Sequence, residues 1–222
     1  MSLQTTRATT YFIGGIATDK QLYKHQLEHI PNSVYLPFPE NDSDETMELY
    51  AQKFIPFIDT TKPFNLVGCS MGGIMTMELI KHIHPEKTII ISSVKCREEM
   101  PWRLRQLKYT NLHKLLPGQL FIKGIILGSR FIKEMNQVRG LRELVISMAK
   151  NNKPDFLYWC VHAIVNWNGH SNYREDIIHI HGTKDKMFPI NNLKNAIPIP
   201  KGSHNMLLSN PVYFTDFLLK TL

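Results

Sequence analysis

The sequence predicts an α/β domain: a mostly parallel sheet of about six strands, flanked by helices and carrying a helical insertion. Three observations lead there. Short apolar runs alternate with stretches of helical spacing along most of the chain. Several of these runs end in glycine or a polar loop, as strands do at the edge of a sheet. Between residues 95 and 175 the alternation stops, and only helix-like segments follow one another.

In chain order, Tyr11-Phe12-Ile13 reads as the first strand and ends in Gly14-Gly15. Helical spacing follows through Leu22, Tyr23, Gln26, Leu27 and Ile30 and is stopped by Pro31. Val34-Tyr35-Leu36 is a second short strand, closed by Pro37 and Pro39. Residues 42–58 read as one helix, opened by Ser43 or Asp44 with acids in its first turn. A strand over 64–67, a helix from Met71 to about His84 and a β-branched strand over 88–94 come next. Beyond the insertion lie a strand over 176–180, a short last strand over 196–199 and a closing helix over 212–219. Within the insertion, 102–116 and 155–167 read as helices. In the second, Phe156, Cys160, Ala163 and Trp167 fall on one face, with Pro154 near the helix start. We read residues 1–222 as one domain with a helical lid inserted at about 95–175, over the carboxyl ends of the strands where open α/β sheets bind ligands.

A chain of 222 residues suits one domain with a substantial core. No apolar stretch approaches the roughly 20 residues needed to span a bilayer. The polar start, Met1 to Thr10, lacks the apolar core of a signal peptide, so cytoplasmic residence without stable membrane insertion is expected. Cys69, Cys96 and Cys160 are scattered and form no C-x-x-C pair, which argues against a disulfide framework or a zinc site. The ten histidines show no metal-ligand spacing, and neither a metal nor a cofactor is expected. The net charge is +7, and the segment from Lys95 to Asp155 carries 13 Lys or Arg against five acids, so its +8 accounts for the whole excess. A solvated basic face, attraction of an acidic substrate and a nucleic-acid surface are the competing readings. The bases are spread among leucines and isoleucines without the aromatic interleaving of a nucleic-acid platform. A solvated face is therefore preferred, and no nucleic-acid partner is expected. Oligomeric state is not indicated.

The chemistry centres on Gly68-Cys69-Ser70-Met71-Gly72, a G-x-S-x-G pentapeptide between an apolar strand and a helix-like stretch. Glycines at 68 and 72 leave room for a strand to turn sharply into a helix, which lifts a serine hydroxyl clear of the sheet. The competing reading of the pentapeptide alone is a tight turn with a capping serine. A serine nucleophile needs a base within hydrogen-bond reach, itself held by an acid. Asp185 follows the strand that runs into His181-Gly182-Thr183-Lys184, and His204 follows the last short strand in Gly202-Ser203-His204. Both loops belong at the same sheet edge as Ser70. The oxyanion hole then draws on the Met71 N–H and on a second amide from Ile13-Gly14-Gly15-Ile16, with Ile16 preferred. Cys69 should face the core, and His181 at a strand end should be packed behind the site. Glu78 and Asp19 could border a pocket, although their spacing does not assign them there. His82 and His84 suit the end of a helix, where cations meet the dipole.

Taken together, these fragments resemble the α/β-hydrolases, of the small lidded serine-esterase type. The resemblance covers nearly the whole chain: Gly14-Gly15 at the oxyanion loop, the elbow through Gly73, His181-Gly182-Thr183-Lys184-Asp185 with Pro189, and Gly202-Ser203-His204. It implies a Ser70, Asp185, His204 triad and carboxylic ester hydrolysis of a small ester-like substrate through an acyl-enzyme. Thioester or carbon–carbon bond hydrolysis, or a catalytically silent ligand-binding protein on the same fold, are the alternatives. Serine at the elbow argues against the dehalogenase and epoxide hydrolase branches, which use aspartate there. Trp102, Phe121, Phe131, Phe156, Trp159 and Trp167 in the insertion are expected to give an apolar pocket. Two departures stand out. Gly14 replaces the usual histidine of the oxyanion loop, and the family's first antiparallel hairpin has no counterpart ahead of Tyr11.

Overall fold

The computed structural model describes residues 8–110, 112–115, 117–169 and 176–222. Its strands are β1 (Thr9–Ile13), β2 (Ser33–Leu36), β3 (Phe64–Cys69), β4 (Lys87–Ile91), β5 (Ile178–Gly182) and β6 (Ile197–Ile199). They form one six-stranded sheet in the order β2-β1-β3-β4-β5-β6, and every pairing is parallel. The continuous apolar runs seen in the sequence are what a parallel sheet buried on both faces requires. Side chains alternate across it: Tyr11, Ile13, Leu66 and Ile90 join one core cluster, while Phe12, Val67, Ile89 and Ile91 join the other. At the edge, β6 is half exposed and contains Pro198, which has no N–H to offer a further strand.

Topology decides where the site sits. From β1 the chain moves outward to β2, then crosses back to place β3 on the other side of β1. The chain leaving β1 and the chain leaving β3 therefore run to opposite faces of the sheet, the switch at whose carboxyl edge open α/β sheets bind ligands. One face of the sheet is covered by α2 (Met47–Gln52), α3 (Met71–Leu79) and α8 (Pro154–Asn166), and the other by α1 (Lys24–His29), α9 (Met206–Ser209) and α10 (Pro211–Thr221). All nine residues of α3 are buried, so the helix after the elbow is held on every side.

The insertion between β4 and β5 contains α4 (Trp102–Thr110), α5 (Gly118–Gly128), α6 (Lys133–Gln137), α7 (Leu141–Lys150) and α8. The face predicted for α8 is its buried one: Phe156, Cys160, Ala163 and Trp167 all lie in the core. Trp159 adds a bond from its indole N–H to the Glu45 carbonyl oxygen at 2.9 Å.

Helix bounds differ from expectation in four places, the first being the stretch through Leu22 to Ile30, which is a 3-10 turn, Lys20–Tyr23, followed by α1. The single helix predicted over 42–58 is α2 alone, capped by Thr46 and followed by a 3-10 turn at Ile55–Phe57. Pro56 cannot donate to a helical ladder, and Asp42 and Glu45 pair with Lys53 Nζ instead of opening a helix. The elbow helix stops at Leu79 instead of near His84, through tight turns at Lys81 and His82 ahead of Pro85, so His82 and His84 lie past its end. The stretch predicted as one helix over 102–116 is α4 followed by a separate 3-10 turn, Leu112–Leu115.

Candidate active site

Ser70 stands between β3 and α3 with φ 54 and ψ −119, a backbone conformation that a residue with a Cβ occupies only under constraint. The constraints are local. Its N–H donates to the Ile91 carbonyl oxygen at 2.9 Å, while its own carbonyl oxygen accepts from the Gly73 N–H at 2.9 Å and from Ser93 Oγ at 2.7 Å. Gly72 makes the rest possible, because a Cβ there would drive into the carbonyl oxygens of Ile13 and Gly14. That contact brings the β1 loop against the elbow. A Cβ on Gly68 would likewise strike the Gly72 carbonyl oxygen and Thr76.

The three predicted side chains meet. His204 Nε2 is 3.0 Å from Ser70 Oγ, and His204 Nδ1 is 2.8 Å from Asp185 Oδ2. Asp185 Oδ1 accepts the N–H groups of Met187 at 2.8 Å and Phe188 at 3.0 Å, so the carboxylate is locked by its own loop. Burial pushes the Asp185 pKa up. The bonds from His181 and His204, the charge near His204 and the Phe188 N–H outweigh burial and hold the carboxyl well below its ordinary range. An ionised carboxylate can only accept, so Nδ1 of His204 carries the ring proton and Nε2 is left to accept from the Ser70 hydroxyl. Ser70 and Asp185 are buried, whereas the His204 side chain keeps 20% of its surface open. Of the three side chains, the imidazole is the one that solvent reaches.

Gly15-Ile16-Ala17-Thr18 forms a turn, with the Thr18 N–H donating to the Gly15 carbonyl oxygen at 3.3 Å and Ala17 at φ 59. The turn does not use the Ile16 N–H, and the Met71 N–H is an unpaired donor by its place at a helix start. No backbone carbonyl among the described residues occupies either amide. A Cβ at Gly15 would sit 3.0 Å from Ser70 Cβ, which measures how closely the two loops approach. Where Gly14 lacks a histidine side chain, Thr18 supports the loop, its Oγ1 donating to the Gly15 carbonyl oxygen at 2.7 Å.

Other expected positions sort as follows. Cys69 is buried in the core, and burial, followed by the charge of Asp185, pushes its thiol up to about 12. It is held as a thiol. Glu78 lies away from the site, bonded to Lys81 and to the Trp167 indole N–H, and Asp19 caps a 3-10 turn. The expectation of six aromatic pocket residues in the insertion needs correction. Trp102 and Phe131 face solvent and Phe156, Trp159 and Trp167 fill the core, while Phe121 packs beside Ile16, Ala17 and Leu157 near the loop that follows β1. Helical spacing shows which residues share a face but not which way that face is turned.

Two supports stand behind the site: His181, packed there as its strand-end position predicts, and Ser93, which the sequence did not single out. His181 Nε2 donates to the Phe188 carbonyl oxygen at 2.7 Å and lies 3.2 Å from Asp185 Oδ2, so it braces the Asp185 loop from beneath. Ser93 belongs to a buried polar chain: its carbonyl oxygen accepts from His179 Nε2 at 3.1 Å, and His179 Nδ1 accepts from Lys95 Nζ at 3.1 Å. Lys95 is also paired with Glu99 at 3.0 Å, so this cation of the basic segment is interior. A signal existed in Ser92, Ser93 and Lys95, polar residues directly after the Ile89-Ile90-Ile91 run.

No protein-family model and no curated protein matches the chain. Solved structures do. A hydrolase from Pseudomonas aeruginosa PA01 superposes with TM-score 0.71 at 12% identity, covering 97% of this chain and 90% of that one. A bromoperoxidase from Bacillus anthracis gives TM-score 0.67 at 16% identity, covering 96% and 91%. A thermophilic esterase from Thermogutta terrifontis gives 0.64 at 13% identity, covering 96% and 88%. The chain has the α/β-hydrolase fold. In that fold the elbow after β3, the acid loop after β5 and the histidine loop after β6 all open at the carboxyl edge of the sheet, where Ser70, Asp185 and His204 meet. Low identity limits the likeness to the fold.

Proposed function

We propose that this α/β-hydrolase-fold chain is a serine hydrolase that cleaves carboxylic esters through an acyl-enzyme on Ser70. The observation that supports it is the unbroken path from Asp185 Oδ2 through both nitrogens of His204 to Ser70 Oγ, at 2.8 and 3.0 Å. In this reading Ser70 Oγ attacks the ester carbonyl carbon while its proton passes to His204 Nε2. The carbonyl oxygen becomes an oxyanion facing the amides of Met71 and Ile16, which are fixed beforehand by helix and turn and so need no reorganisation. The tetrahedral intermediate collapses, the C–O bond to the alcohol breaks, and His204 returns the proton to the leaving oxygen. Water then repeats the sequence on the acyl-enzyme and releases the acid. Asp185 stays ionised throughout and stabilises the imidazolium of each step.

Ile16, Phe121, Ile122 and Leu157 gather around the oxyanion loop, which favours substrates with an apolar acyl or alcohol group there. Purified protein is expected to hydrolyse p-nitrophenyl acetate or butyrate and to be labelled at Ser70 by a fluorophosphonate probe, both lost in Ser70→Ala. Absence of both in the unaltered protein overturns the reading.

A further inference from the structure

Helix α5 is apolar on two sides. Inward, Phe121, Ile122 and Ile125 pack on Ala17 and Leu157. Outward, Leu120, Leu127 (57% exposed) and, just past the helix end, Phe131 (82% exposed) stand in water at helical spacing. Between them Gly124 leaves open space, since a Cβ there would meet nothing within 4 Å. Helix α4 repeats the pattern with Trp102 (62%) and Tyr109 (75%), seven residues apart and so on one face. Both helices pack on α8, which seats them on the core. So many large apolar groups in one inserted layer mark an interaction surface.

The charge of the segment that carries them selects the partner. From Met100 to Lys153 the chain has eleven Lys or Arg and two Glu, a net of +9 (11 − 2). Lys123 and Arg130 are exposed on α5 and its exit, and the Arg103 guanidinium lies 5.6 Å over the Trp102 ring. A second copy of this chain would set one basic segment against another. Nucleic acid would match the charge but leave Leu120 and Leu127 without an apolar neighbour. An anionic bilayer satisfies both, taking aromatic and aliphatic side chains into the headgroup–acyl boundary and lysines and arginines against its charged headgroups. Among the described residues no helix is long and apolar enough to cross a membrane, so the contact is peripheral.

We propose that the outer faces of α4 and α5 dock on an anionic lipid bilayer. Docking stands independently of hydrolysis. If the proposed esterase reading also holds, α5 carries the membrane on one side and the Ile16 loop on the other, which suits amphiphilic esters drawn from the interface.

Vesicle co-sedimentation tests it. The full chain is expected to bind phosphatidylcholine vesicles containing about 30 mol% phosphatidylglycerol, and to bind pure phosphatidylcholine at least about tenfold more weakly. Raising salt to about 0.5 M should release a large part of it. The double substitution Leu127→Ser with Phe131→Ser removes only solvent-facing groups. It should lower binding by about tenfold or more while leaving p-nitrophenyl butyrate turnover in vesicle-free buffer unchanged. Ser70→Ala should bind vesicles like the unaltered protein, which separates docking from catalysis. Failure to bind anionic vesicles, or equal binding by the double variant, overturns the proposal. So does dimerisation abolished by the double variant without vesicle binding, or tight binding to an oligonucleotide with none to vesicles.

Discussion

Ser93 Oγ donates to the main-chain carbonyl oxygen of Ser70 at 2.7 Å, across 23 residues of sequence and inside the core. The bond ties the end of β4 to the elbow, so the positive φ of Ser70 is held from outside its own turn. Ser93→Ala leaves that carbonyl with backbone donors only. Unfolding free energy should fall by about 1 kcal/mol. Turnover of p-nitrophenyl butyrate should fall by roughly tenfold as the hydroxyl loses its alignment. Denaturation midpoints and kcat measured on the same preparation check both.

The approach of the two loops depends on Gly72. Gly72→Ala places a methyl group against the carbonyl oxygens of Ile13 and Gly14, which belong to a buried strand end that cannot yield cheaply. We expect a loss of about 2 kcal/mol or more in a urea melt. Turnover of p-nitrophenyl butyrate should fall further than the folded fraction does, because the same shift displaces the Gly15-Ile16 loop from Ser70.

Asp185→Asn keeps the shape of the loop and removes the charge. His204 then loses the acceptor that holds its proton on Nδ1, and Nε2 no longer faces Ser70 as a base. A fall in kcat of about 10⁴-fold is expected, with KM nearly unchanged. Steady-state kinetics on p-nitrophenyl butyrate give both numbers, and a change confined to KM would sink the assignment.

Acid sensitivity should trace in part to His179. Burial, then the charges of Lys95 and His181, lower its pKa from 6.5 to about 3. The unfolded chain takes up a proton at this histidine below about 6.5 while the folded chain does not. Stability from this group is therefore complete above pH 6.5 and drains away as pH falls toward 3. The slope approaches about 1.4 kcal/mol per pH unit inside that window. His179→Gln keeps a donor for the Ser93 carbonyl oxygen but does not titrate. Its stability should change less between pH 7 and pH 4 than that of the unaltered protein, as measured by urea unfolding at a series of pH values.

The legible parts of this protein were those whose cause is local. β3 and its elbow announce themselves through an apolar run meeting Gly68 and Gly72. Asp185 and His204 could be placed because each follows a strand into a loop, and strand direction alone sends those loops to one edge. The helix predicted over 42–58 is shorter because Thr46, not Ser43 or Asp44, caps it, Asp42 and Glu45 pair with Lys53 instead, and Pro56 cannot join the ladder. His179 and Lys95 were invisible as partners, since 84 residues separate them in sequence. The exposure of Trp102 and Phe131 was equally hidden, because an apolar residue reads the same whether it faces a core or a solvent layer.

The sequence by itself determined the alternation of strand and helix, the glycine turn at Ser70 and the chain order of its two partners, because backbone sterics and period act within a few residues. Only the tertiary structure decided that Ser70, His204 and Asp185 lie within 3.0 Å contacts, that Ser93 and His181 brace them, and that the apolar side of α5 looks outward. Those facts depend on which strands become neighbours and which faces are covered. That is a balance of burial across the whole chain, and no local segment contains it.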